Sequence, residues 1–173
     1  MNNYQEQAKR TSASLGSDKL DLAHMALGMV SELCEVEDAI EENDLVNIGE
    51  ELADICWYLA NYCTFRGVDF KNICLSYIKE DSTVTDLSYN ISRFSDLVKK
   101  NIAYNKEIQP SHELIYLKTI VFNIINLVNL YKLDFDKILQ NNIDKLKVRF
   151  PDKFTEENAK NRNLDKELKE LKK

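Results

Sequence analysis

The sequence holds little that would stop a helix. Across 173 residues there are four glycines and two prolines, so few positions supply a left-handed turn or remove a backbone donor. Histidine is equally scarce, with only His24 and His112, and the four cysteines, Cys34, Cys56, Cys63 and Cys74, form no C-x-x-C pair. That excludes the usual zinc sites. The thiols read as small core residues in a reducing cytoplasm. No secretory leader opens the chain and no apolar run reads as membrane-spanning, so a cytoplasmic protein with no membrane partner is expected. Positive charge is short as well: 23 Lys and Arg stand against 29 Asp and Glu, a formal net charge of −6. This excludes a basic groove for nucleic acid. An anionic ligand would have to be met locally, for instance through a divalent cation on an acidic cluster.

What is present is helical. With 44% hydrophobic and 30% charged residues, the chain can bury one core, and it reads as a single all-α domain over 1–173. The 3.6-residue apolar period and the breakers predict helices over about 3–14, 19–42, 45–66, 70–80, 84–105, 112–132, 135–149 and 155–171. Ser17 or Asp18, Asp44, Asp69, Thr83, Ser111, Asp134 and Thr155 stand where a side-chain oxygen can cap a first turn. Pro110 and Pro151 fall between helices. The final stretch, ENAKNRNLDKELKELKK, carries little apolar surface and reads as a charged tail, or at most a docked amphipathic helix.

The chain also repeats itself. LADICWYLANYCTFRGVDFKNI from Leu52 aligns without a gap on LKTIVFNIINLVNLYKLDFDKI from Leu117. Leu52/Leu117, Trp57/Phe122, Asn61/Asn126, Asp69/Asp134 and Phe70/Phe135 fall in register, and SELCE at 31–35 sits against SDLVK at 95–99, one residue out of step. Shared helical period alone would match apolar residues. The matched Asp-Phe cap and Asn favour a degenerate duplication, with 1–80 as one half, 81–150 as the second and 151–173 as a charged segment.

Two acidic motifs stand out. Glu32 and Glu35 on the second predicted helix, and Glu51 and Asp54 on the third, are spaced i, i+3, so each pair points two carboxylates at one object. At about 100° per residue, each pair lies to the same side of its helix's apolar stripe, with Gly28 and Ala39 on the flank of the first. Four carboxylates in one place repel one another unless a cation neutralises them, and Mg²⁺ takes hard oxygen ligands of this kind. Either motif alone is common on a solvated helix face. Their pairing, with no lysine in either, sets a metal site against that plainer account, and the residues leave the two open. Glu37, Asp38, Glu41 and Glu42 read as solvent-facing acids.

HMALGMVSELCEVEDAI from His24, followed by EELADICWYLA from Glu50, resembles the helical core of MazG-like nucleoside triphosphate pyrophosphohydrolases. YQEQAKRT from Tyr4 resembles the opening of the shorter members, and NNIDKLKVRFPDKFTEENAKNR from Asn141 their C-terminal segment. The resemblance implies an all-α, four-helix-bundle core and an enzyme that hydrolyses nucleoside triphosphates, deoxynucleotides first, at the α-phosphorus to a monophosphate and pyrophosphate. It implies that Glu32, Glu35, Glu51 and Asp54 are catalytic and hold Mg²⁺, with Mn²⁺ as a substitute. Asn142 and Lys145 match the family's Asn and Lys. Lys145 is thereby assigned to a phosphate and Asn142 to phosphate or sugar, residues that without the resemblance would read as solvated. Trp57 and His24 read as core or partly buried helix residues outside the catalytic set.

The departure from the short members is one inserted repeat, in which Lys99 or Lys100 stands near the place of Glu35, Tyr116 replaces Glu51 and Thr119 replaces Asp54. That copy cannot hold a metal in the same way. The expectation is one site per chain, closed by the degenerate half, with Lys99 or Lys100 either assisting the phosphates or merely solvated. A homodimer is left open. So are a dUTP- or alarmone-specific hydrolase and, from another class, an inactive helical interaction protein.

Overall fold

The computed structural model describes residues 3–74 and 82–172. Its elements are α1 Tyr4–Arg10, α2 Asp18–Glu42, α3 Leu45–Arg66, α4 Phe70–Cys74, α5 Val84–Tyr104, α6 Pro110–Leu130, α7 Phe135–Arg149, α8 Glu156–Lys160 and α9 Leu164–Leu171, with no strand among the described residues. The fold is all-α, as expected. The predicted helix over 70–80 is described only as far as Cys74.

Helices α2, α3, α5 and α6 form a four-helix bundle in which α2 packs on α3 and α5, and α6 closes the ring against α5 and α3. Its core holds Met25, Met29, Leu52, Leu59, Ile91 and Ile120, all fully buried. Tyr62 of α3 meets Phe94 of α5 edge to face at 4.7 Å, a favoured aromatic geometry. A buried polar tie joins α3 to the start of α6. The Tyr62 hydroxyl donates to Glu113 Oε1 (2.6 Å), and Arg66 donates to both Glu113 oxygens (2.6 and 3.2 Å). Outside the bundle, α1 and α7 pack on α3, α4 packs on α6, and α9 lies on α7.

Caps account for most helix boundaries. Ser17, Asp44, Thr83, Asp134 and Thr155 each accept a first-turn N–H from their side chains. Asp69 accepts from Lys71 N (2.9 Å). Ser111 does not cap α6, and Pro110 is not between helices. The helix begins one residue before Ser111, with Gln109 as N-cap and Pro110 in the first turn, where a missing N–H costs nothing. Helix α1 stops at Arg10 rather than near residue 14, because the Thr11 hydroxyl bonds back to Ala8 O (2.9 Å), a local bond that competes with helix continuation.

The fold decides two further expectations. For the C-terminal charged stretch the docked-helix alternative holds and the tail does not: Asn163 caps a second short helix, α9, whose Glu167 is 2% exposed. Pro110–Leu130 is, by length and composition alone, apolar enough to cross a membrane. In the fold, however, it is a bundle helix, burying Leu117, Ile120, Ile124 and Leu127 together with the polar Glu113, Asn123 and Asn126.

Candidate functional site

The two acidic motifs meet where α2 and α3 approach each other closely. Gly28 of α2 makes this approach feasible: a Cβ there would stand 2.1 Å from the Tyr58 ring of α3. The ring fills the space a side chain would need, and it lies beside Glu32, whose charge, after burial, raises the affinity of the Tyr58 hydroxyl for its proton. One turn further along, ligand oxygens of Glu32, Glu35 and Glu51 come within 4.8 Å of one another. Glu51 is buried, Glu32 half-buried and Glu35 exposed, so the cluster opens from the interior to solvent.

Crowding makes the cluster hungry for positive charge. Burial first, and then the Asp54 carboxylate, push Glu51 up to about 9 and Glu32 up to about 7. A side-chain hydrogen bond joins the two acids, raising Glu51 and lowering Glu32. Each of the two acids therefore holds its proton more tightly than an ordinary glutamate does.

Asp54, the fourth predicted ligand, sits beside this trio but is held differently. Asn142 Nδ2 donates to its Oδ1 (2.5 Å), and Lys145 Nζ bonds its Oδ2 and also Glu50 Oε1 (3.1 Å). Both residues come from α7 and are essentially inaccessible, Asn142 at 0% and Lys145 at 1% exposed. The solvated reading of these two residues is thus overturned. The structure aims them at Asp54, and Lys145 keeps its charge because two carboxylates outweigh the burial that opposes it. Tyr4 of α1 completes the frame, its hydroxyl reaching Ala53 O (3.1 Å) and Asn142 Oδ1 (3.3 Å).

The acids line a cleft of about 420 Å³ whose other wall is formed by Arg149, Arg162, Glu167 and the α9 leucines. No residue of α5 or α6 lines it. Of the second half, 81–150, only α7 reaches the cleft, through Arg149, and the C-terminal arm supplies the rest of that wall. Lys99 and Lys100 lie elsewhere, paired with Asp96 of their own helix (2.6 and 2.5 Å). Trp57 packs as a core-flanking residue, its Nε1–H donating to Thr11 Oγ1 (2.9 Å) and its ring edge-on to Tyr58 at 4.9 Å.

Sequence reasoning missed Glu50, Tyr58, Arg162 and Glu167. Glu50 is adjacent to a chosen acid, and Arg162 and Glu167 fall in the stretch read as a charged tail. Only their three-dimensional neighbours distinguish them from solvated charges.

An all-α scaffold thus brings three carboxylates close enough together that they could hold a metal ion, beside a buried Asn and Lys. Residues 21–79, about a third of the chain, match the MazG nucleotide pyrophosphohydrolase domain, so this stretch is similar to that family. The matched stretch contains all four predicted acids. No curated protein and no solved structure matches the chain.

Proposed function

We propose that the α2–α3 cleft binds Mg²⁺, with Mn²⁺ as a substitute, and hydrolyses nucleoside triphosphates, deoxynucleotides first, to a monophosphate and pyrophosphate. The observation that carries this reading is the convergence of Glu32, Glu35 and Glu51 within 4.8 Å, inside the segment that matches a nucleotide pyrophosphohydrolase domain. The donor set fits the metal. Hard carboxylate oxygens with raised proton affinity suit Mg²⁺, and a cation would displace the protons that Glu32 and Glu51 hold. Glu32, Glu35 and Glu51 would hold it, with Asp54 as the fourth ligand. When bound, such an ion lowers the pKa of a water and stabilises charge at phosphorus.

The chain's own residues have separate tasks in this reading. Lys145 and Asn142 fix the Asp54 carboxylate, and the phosphate and sugar roles first assigned to them pass to groups that face the cleft. Tyr58 and Gly28 set the α2–α3 spacing. The chain is one domain whose second half supplies bundle packing through α5 and α6 and site residues through α7, and we read the two halves as a degenerate duplication. Free thiols at Cys34, Cys56, Cys63 and Cys74 fit a cytoplasmic setting.

The test is pyrophosphate release from a panel of dNTPs, NTPs, dUTP and guanosine alarmones, with and without Mg²⁺, comparing wild type with a Glu35→Gln, Asp54→Asn double variant. Mg²⁺-dependent release that the double variant loses is expected. Preference for dUTP or an alarmone would narrow the substrate, whereas no release from any nucleotide by folded wild type would favour the interaction-protein reading.

A further inference from the structure

The acid cleft has a cationic wall that the carboxylates do not explain. Glu167 of α9 is buried, and it holds two arginines at once. Arg149, at the end of α7, donates through Nε to Oε1 (3.2 Å) and through Nη2 to Oε2 (2.5 Å). Arg162, between α8 and α9, donates to Oε2 through Nε (3.3 Å) and Nη2 (2.8 Å). Two guanidinium groups share one carboxylate, so the triad carries a net positive charge into a cleft whose opposite wall is acidic. A buried charged group is costly unless it is paired, and here the pairing leaves an excess cation pointed at open space.

Accessibility separates the two. The Arg149 side chain is 17% exposed and the Arg162 side chain 41%. A guanidinium has five N–H donors, and Arg162 spends only Nε and Nη2 donors on Glu167. Its location is not incidental, because Arg162 feels the charges of Glu50 and Asp54 across the cleft. The arm itself is docked by polar contacts. Besides the Glu167 triad, Asn141 Nδ2 donates to Leu171 O (3.1 Å), while Leu164 and Leu168 remain 62% and 43% exposed. A helix fastened this way contributes charge placement more than core.

We propose that Arg162, supported by Arg149 and oriented by Glu167, grips the phosphate chain of the ligand at the end remote from the carboxylate cluster. The inference deepens the proposed function, on which it rests, by assigning a recognition element for the chain's length. Arginine's planar fork suits phosphate oxygens bidentately. A cation cluster set across the cleft from the metal ligands would favour a triphosphate over a monophosphate, because only the longer ligand reaches both. Glu167 is then a positioning residue, acting through the two arginines.

The test uses inorganic triphosphate and orthophosphate as probes, so that no base is needed, with calorimetric binding in Mg²⁺ to the full chain and to Arg162→Gln and Arg162→Lys variants. Arg162→Gln should weaken triphosphate binding by about tenfold or more and orthophosphate binding by less than about twofold. Arg162→Lys should recover only part of the loss, because it restores charge but not the fork. The Arg162 side chain is 41% exposed, and a matching thermal melt and unchanged Mg²⁺ affinity check that the variants fold. Equal loss for both probes, no loss for either, or no binding of inorganic triphosphate by wild type would overturn the proposal. If wild type releases pyrophosphate from nucleotides while Arg162→Gln changes neither KM nor triphosphate binding, this inference alone fails. If no nucleotide is hydrolysed but triphosphate binding still depends on Arg162, the hydrolase reading fails and this one stands.

Discussion

The α3 and α6 helices end in the same way, yet the clefts along them differ in chemistry. At the end of α3, Gly67 takes a left-handed φ of 66° and Val68 N bonds Cys63 O (2.8 Å). At the end of α6, Lys132 takes φ 56° and Leu133 N bonds Val128 O (2.8 Å). An Asp then serves the next helix start in each case, Asp69 on Lys71 N and Asp134 on Lys137 N, both at 2.9 Å. The following helices cross over, α4 packing on α6 and α7 on α3. The clefts along these helices nevertheless differ. One brings carboxylate oxygens of Glu32, Glu35 and Glu51 within 4.8 Å of one another. The other, of about 270 Å³, mixes Arg93, Lys100, Lys106 and His112 with Asp96 and Glu107. The repeated turn closes both helices alike, while side chains toward their opposite ends, Glu51 and Asp54 on α3 and His112 and Tyr116 on α6, make the clefts differ.

The sharpest way to break that contrast is to remove one carboxylate. Glu51→Gln should lower Mg²⁺-dependent pyrophosphate release on the order of 100-fold or more, read by steady-state kinetics at saturating metal. Retention of full activity would remove Glu51 from the ligand set.

The next largest effect is expected in stability. Lys145→Met strips a buried cation from between Asp54 and Glu50, which should cost about 3–5 kcal/mol, measured by urea denaturation. Adding Asp54→Asn should recover part of the loss, since the stranded charge is then gone; strictly additive losses would show that the two do not act as a pair.

Gly28→Val forces a side chain into the Tyr58 ring and should cost about 1–3 kcal/mol. A Tyr58→Ala background should relieve the clash, so the double variant should melt above the sum of the single losses. Insensitivity of the melt to Gly28→Val would mean that α2 and α3 can separate without penalty.

A smaller, continuous effect concerns pH. Glu32 and Glu51 hold protons more tightly folded than at their ordinary value of 4.5. Their favourable contribution is complete below about 4.5 and is lost as pH climbs through about 7 and then about 9, because the folded pair must surrender protons that the unfolded chain has already released. The Tm of the metal-free protein should therefore fall between pH 5 and 9, the span these shifted values cover, and Mg²⁺ should flatten the slope. A metal-independent slope would separate the titration from cation binding. The smallest effect belongs to the other cleft: Lys100→Gln should leave Mg²⁺ response and turnover unchanged, and any loss would connect α5 to the chemistry.

The sequence by itself determined the helices and the acids. Scarce glycine and proline, side-chain caps and a 3.6-residue period are local properties, and they place α2, α3, α5 and α7 within a residue or so of their observed bounds. The i, i+3 spacing of Glu32/Glu35 and Glu51/Asp54 is also local, because residues three apart share a helix face whatever the tertiary fold. Only the tertiary structure decided what surrounds those acids. Asn142 and Lys145 look solvated along the chain and are buried against Asp54 in the fold, and Arg162 and Glu167 look like a tail yet form a cleft wall. Whether a charge is solvated or buried depends on packing between segments about 90 residues apart, and no short-range periodicity encodes that distance.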